Sequence, residues 1–369
     1  MPGKENNFFT LHLKWKTMRQ TILLLLVCLT TLPPLFARQQ KLPRVVILAT
    51  GGTIAGTGAS ADRSAYKAGE LPIKDLIAAV PGIDKVANIT GEQVSNVGSQ
   101  DMTVDIWLKL NKRINEIFKN NEADGIVITH GTDTQEETAY FLSLTVRYDH
   151  PVVLTGSMRP STAISADGPK NLYDAVTVAA SPLAKGRGVM LTFNESIWDP
   201  RDVEKVSTTH VNGFAAPNSG PLGQVYDGKV VFYFKSLHKA NKQTPFDITG
   251  LSKLPRVAVA ELYCDAPATA LNAYVADGVD GIVTGGLGNG NLNKANTDAV
   301  MAATKKGVAV VRSSRVFTGR VTLFDETDDE KLGTMVSDNL SPQKARILLM
   351  LGLSKSKDRK QLQQYFFEY

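Results

Sequence analysis

Short apolar runs rich in β-branched residues alternate along this chain with longer stretches in which apolar residues recur at helical spacing. Runs without polar interruption are typical of strands buried on both faces of a parallel sheet. Such strands are predicted at 44–49, 125–129, 151–155 and 188–193. Helices are predicted between and after them at 104–118, 134–146 and 167–180. This alternation predicts a doubly wound, mostly parallel α/β domain.

The alternation lapses at "KSLHKANKQTPFDITGLSKL", a polar stretch interrupted by proline, for which a linker is the simplest interpretation. It then resumes, with strands predicted at 256–261, 280–284 and 308–312, helices at 266–276 and 293–304, and closing helices at 342–353 and 358–366. We therefore predict an N-terminal α/β domain over 38–234, a linker over 235–255 and a smaller C-terminal α/β domain over 256–369.

The first 37 residues follow a different pattern. Lys14, Lys16 and Arg19 precede an apolar stretch at 22–29, and a small residue, Ala37, ends the segment. This order predicts a secretory signal peptide over 1–37, too short to span a membrane, and hence a secreted, periplasmic protein. A buried N-terminal helix is the alternative interpretation, and Met18 could serve as the start.

Charge and cysteine content narrow the function classes. The predicted signal peptide carries +3 of the formal net charge of +5, which leaves +2 on the mature chain. So small a charge does not favour nucleic acid or an anionic membrane as a partner. Cleavage would also leave Cys264 as the single cysteine, so the mature chain cannot form an intrachain disulfide.

Polar residues follow the first three predicted strands, where open α/β sheets bind their ligands. The three strand ends read "TGGT", "THGTDT" and "TGSMRP". Gly51 and Gly52 would allow a tight turn, or the close approach of a phosphate, a helix or a substrate. Nucleotide binding is disfavoured, because no lysine completes a Walker loop and Thr53 stands where a dinucleotide motif has its second glycine.

Other common catalytic patterns are also missing from the sequence. The histidines lack paired metal-ligand spacing, and no G-x-S-x-G nucleophile elbow occurs. His130 is alone in its loop and is predicted to be a hydrogen-bonded structural histidine. We expect no metal or other cofactor.

Threonines, carboxylates and one lysine remain as candidate chemistry. A threonine hydroxyl is a poor nucleophile until a neighbour accepts its proton. Lys205, in "RDVEK", could accept the proton of Thr132, and Asp133 is suited to a substrate ammonium group. The same residues could equally be a helix cap and solvated charges, so spacing alone leaves both interpretations open.

Eight motifs spread over the mature chain resemble those of the bacterial-type L-asparaginases of the secreted, type II kind. They are "ATGGTIAG" at 49–56, "GEQVSNVGSQDM" at 91–102, "ITHGTDTQEET" at 128–138, "TGSMRPSTAISADGPKNLYDAV" at 155–176, "RDVEK" at 201–205, "GLGNGN" at 286–291, "VVRSSRV" at 310–316 and "SPQKARILL" at 341–349. The resemblance implies hydrolysis of L-asparagine to L-aspartate and ammonia by a homotetramer whose sites are completed across a dimer interface.

The resemblance also implies roles for the reacting residues. Thr53 matches the nucleophilic threonine, and Gly51-Gly52 would then leave room for substrate beside its hydroxyl. Tyr66 matches a tyrosine that closes over the nucleophile on a mobile lid. Glu326 matches a glutamate that orients this tyrosine, and Thr132 and Lys205 match a pair that transfers protons.

Further matches concern substrate binding. Ser99, Gln100 and Asp133 match residues that bind the α-carboxylate and α-ammonium groups, and Asn291 matches a residue contributed by a neighbouring subunit. Ser157 stands where some asparaginases have alanine beside the substrate amide. Gly98 and Asn291 agree with asparagine-selective members, so we expect asparagine to be preferred to glutamine.

Four alternatives remain. They are a dual glutaminase-asparaginase, a self-cleaving N-terminal-threonine amidase processed at Gly52-Thr53, a cytoplasmic amidotransferase subunit, and a non-catalytic periplasmic amino-acid-binding protein. The predicted signal peptide disfavours the amidotransferase.

Overall fold

The computed structural model describes residues 15–16, 18–20, 41–58, 66–67, 69 and 71–369, with 66–67 described by their backbone. Residues 15, 16 and 18–20 are helical. The rest of the predicted signal peptide, and most of the predicted lid, lie outside the described residues. Residues 42–369 form one compact unit. None of the described helices is long and apolar enough to cross a membrane.

The described strands and α-helices of the compact unit are numbered in chain order. The strands are β1 Arg44–Gly51, β2 Thr57–Gly58, β3 Tyr66–Lys67, β4 Asn88–Val97, β5 Gly125–Thr129, β6 Val152–Thr155, β7 Val189–Phe193, β8 Ser196–Trp198, β9 Glu204–Lys205, β10 Phe214–Ala215, β11 Gly223–Tyr226, β12 Lys229–Phe232, β13 Val257–Glu261, β14 Gly281–Gly286, β15 Ala309–Ser314 and β16 Met335–Val336. The helices are α1 Ile73–Ala78, α2 Val104–Lys119, α3 Gln135–Thr145, α4 Gly168–Ala180, α5 Thr269–Ala276, α6 Lys294–Lys305, α7 Asp329–Leu332, α8 Pro342–Leu353 and α9 Arg359–Glu368.

The larger sheet has eight strands in the order β12-β11-β8-β7-β6-β5-β1-β4. Strands β7, β6, β5, β1 and β4 are neighbours in the sheet and run parallel, whereas β8, β11 and β12 are joined by antiparallel pairing. The predicted mostly parallel N-terminal sheet is therefore confirmed. Strand β4 was not predicted, because it lies at the sheet edge with only Val94 fully buried and has no continuous apolar run.

Helices cover both faces of this sheet because successive strand residues point to opposite sides. Leu48, Ile128 and Leu154 belong to the core beneath α2 and α3, which continues into α8 and α9. The alternate positions Ile47 and Val127 belong to the core beneath α4. The loops after these strands therefore leave a sheet that is packed on both sides.

The smaller sheet contains β13, β14, β15 and β16 in that order, all parallel. Its core on one face includes Leu271 of α5, Val300 of α6 and Ile282 of β14. The opposite face packs against α8. The predicted smaller C-terminal α/β domain is confirmed, and Cys264 is exposed just after β13.

The segment 235–255 joins the two sheets and contains neither a strand nor an α-helix. It is nevertheless packed, because the fully buried ring of Phe246 lies 5.2 Å from the Tyr365 ring and 5.3 Å from the Tyr369 ring, between centroids. The segment is therefore fixed to the C-terminal helix α9.

Candidate active site

Gly51, the last residue of β1, and Gly52, which follows it, bring three loops into backbone contact. Both have left-handed φ angles, 109° at Gly51 and 80° at Gly52. A Cβ on Gly51 would lie 2.5 Å from the Val97 carbonyl oxygen, and one on Gly52 would lie 2.4 Å from the Gly131 nitrogen. Main chain of Val97 and Gly131 therefore occupies the space in which side chains at these two positions would lie, and room for substrate beside the Thr53 hydroxyl stays a prediction.

Thr53 begins a 3₁₀ turn directly after these glycines and is buried. Across the glycine contact, Gly131 in turn lies against Ser99, where a Cβ would be 2.7 Å from the Ser99 hydroxyl oxygen. That hydroxyl accepts a hydrogen bond from the Asp133 main-chain N–H at 3.2 Å. The ends of β1, β4 and β5 therefore place Thr53, Ser99 and Thr132 on adjoining loops.

A lysine, a threonine and an aspartate form the charged part of this region. Lys205 Nζ donates to Thr132 Oγ1 at 2.9 Å and to Asp133 Oδ1 at 2.5 Å. Thr132 is buried, whereas the Asp133 side chain is 58% exposed and can still meet a ligand. Thr132, Asp133 and Lys205 therefore lie together, as predicted, although Asp133 and Lys205 are 72 residues apart in the sequence.

His130 is a neutral structural histidine beneath these loops. Its Nδ1 lies 2.7 Å from the Gly131 carbonyl oxygen, and Nε2 lies 2.9 Å from Thr138 Oγ1. The Gly131 carbonyl can only accept a hydrogen bond, so Nδ1 carries the ring proton, and Nε2 accepts from the Thr138 hydroxyl, which itself accepts from Trp107 Nε1. Complete burial lowers the pKa of His130 to about 4. The ring therefore orients the Gly131 turn without charge.

Ser157 and Gln100 lie on the loops around this cluster. Ser157 is fully buried, and its hydroxyl donates to the Arg159 carbonyl at 2.8 Å. The preceding Gly156 approaches Thr132, where a Cβ would be 3.5 Å from the threonine methyl carbon. Gln100 is exposed, and its amide donates to Asp101 at 3.2 Å. Both residues therefore border the Thr132 region.

Asn291 and Glu326 lie together in the C-terminal half. Asn291 Nδ2 donates to Glu326 Oε2, and both residues line a cavity of about 330 Å³ with Leu292, Thr297 and Asp328. Their side chains make no hydrogen bond to Ser99, Thr132, Asp133 or Lys205 among the described contacts. Within one chain the described hydrogen bonds therefore do not join this pair to the lysine cluster.

Tyr66 begins β3, a two-residue strand that pairs antiparallel with β2. Gly58 pairs with Tyr66, and the Gly58 N–H donates to Thr162 Oγ1 at 2.8 Å. The Tyr66 side chain, and hence its predicted contacts with Thr53 and Glu326, lie outside what is described.

Sequence reasoning missed three buried ionisable residues behind the lysine cluster. Glu136 lies in the first turn of α3, three residues after Asp133. Glu204 precedes Lys205 on β9, and Lys344 lies on α8. All three fall within the quoted motifs, but the identity of a residue in a motif does not reveal that its side chain is buried. Among the described residues, no group of three His, Cys, Asp or Glu side chains is placed to hold a metal ion.

Comparison with known proteins gives matches over most of the chain. Residues 44–238 match the family model "Asparaginase, N-terminal", and residues 256–366 match "Glutaminase/Asparaginase C-terminal domain". A probable periplasmic L-asparaginase of Haemophilus influenzae is 52% identical over 90% of this chain and 95% of its own length. A glutaminase-asparaginase of Pseudomonas fluorescens is 45% identical over 89% of this chain and 91% of its own.

Solved structures give the same picture. A crystal structure of a probable cytoplasmic L-asparaginase from Campylobacter jejuni superposes with a TM-score of 0.86 at 47% sequence identity. The match covers 89% of this chain and all of that one.

Proposed function

Because the chain belongs to the asparaginase family and is an amidohydrolase, we propose that it hydrolyses L-asparagine to L-aspartate and ammonia with Thr53 as nucleophile. The observation that carries this proposal is the contact of Lys205 Nζ with Thr132 Oγ1 at 2.9 Å, on loops adjoining Thr53. A lysine and a hydroxyl in contact form a route for the protons that acyl transfer must move.

The proposed reaction is acyl transfer in two steps. Thr53 Oγ1 forms a bond to the side-chain amide carbon while its proton passes by way of Tyr66 to the amide nitrogen, the C–N bond breaks, and the nitrogen leaves as ammonia. Water then attacks the resulting ester, its proton passes along Thr132 and Lys205 to Thr53 Oγ1, and the C–O bond to Thr53 breaks to release L-aspartate. A covalent intermediate divides one difficult displacement into two easier ones.

Substrate would be held by groups on the neighbouring loops. The exposed Asp133 carboxylate is suited to the α-ammonium group, because an ion pair with Lys205 still leaves acceptor sites free. Ser99 and Gln100 follow β4 and are proposed to bind the α-carboxylate. We place Ser157 beside the substrate amide.

Asn291 and Glu326 are proposed to enter the site from a second copy of the chain. The resemblance implies this for Asn291, and the Asn291–Glu326 hydrogen bond means that Glu326 would arrive with it. Glu326 would then orient Tyr66 from across the interface. On the resemblance, we propose a homotetramer built from dimers with composite sites.

Asparagine is the proposed preferred substrate, and dual action on glutamine is the second candidate. A Cβ at Gly98 would lie 2.5 Å from the Gln100 amide nitrogen, so glycine permits the present Gln100 position. The second candidate is favoured by the 45% identity to a glutaminase-asparaginase. The sequence pattern of 1–37, together with a relative named periplasmic, supports secretion to the periplasm.

The proposal is tested by ammonia release from the processed protein with asparagine and with glutamine. We expect a higher kcat/KM for asparagine, and loss of turnover in Thr53→Val with asparagine still bound. Equal kcat/KM values would support the dual enzyme. Saturable binding without ammonia would indicate a binding protein, and two fragments on a denaturing gel would indicate an N-terminal-threonine amidase.

A further inference from the structure

Lys344 is a completely buried lysine on α8. Its Nζ donates to the carbonyl oxygen of Arg201 at 3.0 Å and to that of Val203, and it lies 3.0 Å from Glu204 Oε1. An ammonium group has three donors, so these three partners satisfy it. A buried charge without such partners would be strongly destabilising.

All three partners of Lys344 lie on the few residues that lead into Lys205. They end at β9, which has two residues and pairs with β10 outside the two larger sheets. An isolated two-stranded ribbon is marginally stable by itself. The position of β9 therefore depends on contacts from other parts of the protein, and α8 supplies them.

The two residues of β9 serve opposite sides of the strand, as neighbouring strand residues do. Glu204 points to α8, where Oε1 meets Lys344 and Oε2 accepts from Gln343 Nε2 at 3.2 Å. Lys205 points to Thr132 and Asp133. A buried ion pair on one side is thus joined through a single peptide unit to the lysine on the other.

Helix α3 closes the buried region from the side of Thr132. Burial, and next the charge of Glu204, raise the pKa of Glu136 to about 8, although Lys344 opposes the rise. Glu136 is therefore protonated at neutral pH. Burial also raises the pKa of the adjacent Glu137, against the charge of Arg346. With Glu136 neutral, Glu204 is the carboxylate that balances Lys344.

Building on the proposed function, we infer that Lys344 is a positioning residue for Lys205. By holding the 201–204 main chain and the Glu204 side chain, it keeps Lys205 Nζ within hydrogen-bond distance of Thr132 Oγ1. A purely structural role would differ in one respect, since it would change stability and leave the turnover of the folded enzyme unaltered.

The first test is Lys344→Met in the processed protein, assayed well below its unfolding temperature. We expect kcat for asparagine to fall about tenfold or more, because small displacements of reacting groups are costly. KM should change less than about twofold, since Ser99 and Gln100 make no described hydrogen bond to this segment and Asp133 is also held by its main-chain hydrogen bond to the Ser99 hydroxyl. Lys355→Met is the matched control, because Lys355 follows the same helix and donates to the Asp247 carbonyl, away from β9.

A double-mutant cycle with Lys205→Met identifies the route of the effect. If Lys344 acts through Lys205, then Lys344→Met should not lower the residual kcat of Lys205→Met further. An equal fold-loss in both backgrounds, or a lowered Tm with unchanged kcat, would overturn the inference. Failure of the proposed function is distinguishable, since the unmodified enzyme would then release no ammonia.

Lys344→Met leaves Glu204 buried without a cation and could impair folding. The double variant Lys344→Met/Glu204→Gln removes both charges and is expected to be better tolerated. It still lacks the donor to the Arg201 and Val203 carbonyls, so kcat should remain low. Wild-type kcat in this variant would contradict the inference.

Discussion

The two sheets of this protein both present polar side chains at the carboxyl ends of their strands, but they hold them in different ways. In the larger sheet, glycines let the loops touch through their main chain, as at Gly52 and Gly131. In the smaller sheet, the fully buried guanidinium of Arg312 bonds Asp329 at 2.7 and 2.8 Å and the carbonyls of Asn289 and Thr322 at 3.0 and 3.1 Å.

The difference indicates a division of work between the two regions. The larger sheet gathers hydroxyls, a lysine and a carboxylate, which are groups able to move protons. The Arg312 hub fixes two loops that carry one amide and one carboxylate, Asn291 and Glu326. We expect the first region to supply the groups that move protons in hydrolysis, and the second to supply Asn291 for recognition and Glu326 for the orientation of Tyr66.

The largest expected effect is at Lys205. Lys205→Met should lower kcat by about 10³-fold, because the variant loses the group proposed to move the proton of Thr132. Steady-state ammonia release measures it, with Lys294→Met as control because Lys294 pairs with Asp298 on the surface of α6. Retention of most activity would remove Lys205 from the mechanism.

Asn291→Ala should have a smaller effect, lowering kcat/KM by about tenfold to a hundredfold through loss of hydrogen bonds to a charged substrate. The main use of this variant is in an experiment that mixes its subunits with those of Lys205→Met. Dissociation and reassembly of an equal mixture with Lys205→Met should restore about a quarter of wild-type activity, since half of randomly formed dimers would contain one intact composite site. Activity no greater than that of the two separate variants would show that each site is built from one chain.

The smallest expected effect is on stability, and it differs between the regions. In the folded protein the pKa of Glu136 is raised from 4.5 to about 8, so the folded state holds this proton more tightly than the unfolded state does. The contribution of Glu136 to the free energy of unfolding is therefore full below pH 4.5 and is lost as the pH rises toward 8. The slope is about 1.4 kcal/mol per pH unit. In Glu136→Gln, the urea concentration at the unfolding midpoint should depend less on pH between pH 6.5 and 8 than it does in the wild-type protein.

The comparison carboxylate, Asp329, should behave oppositely. Burial acts to raise its pKa, but hydrogen bonds from Arg312 and Thr334 hold the pKa below its usual value. Its contribution is therefore present at neutral pH and lost only in strong acid. Because the pKa of His130 is lowered from 6.5 to about 4, its contribution to protein stability is lost as the pH falls from 6.5 to 4. The Glu136 test is therefore made above pH 6.5. If Glu136→Gln left the pH dependence of the urea midpoint unchanged, the raised pKa assigned to Glu136 would be contradicted.

Sequence reasoning succeeded where local pattern is decisive. The strand at 125–129 was predicted to the residue because every position in it is buried and apolar or small. The edge strand β4 has no such pattern and was missed. Proximity of Thr132 and Lys205 followed from the resemblance, whereas burial of Lys344 depends on how α8 packs against β9, which a pattern in α8 alone does not specify. Glycines in the sequence indicate close approach without naming the neighbour, which the structure identifies as the main chain of Val97 and Gly131.

The exposed thiol of Cys264 offers a practical route to the mixing experiment. In the processed chain it is the single cysteine, so a maleimide dye attaches once per subunit. Labelling the two variants with a donor and an acceptor fluorophore would let energy transfer count the hybrids in each preparation. Recovered activity could then be expressed per hybrid assembly, which separates poor exchange of subunits from failure of a composite site.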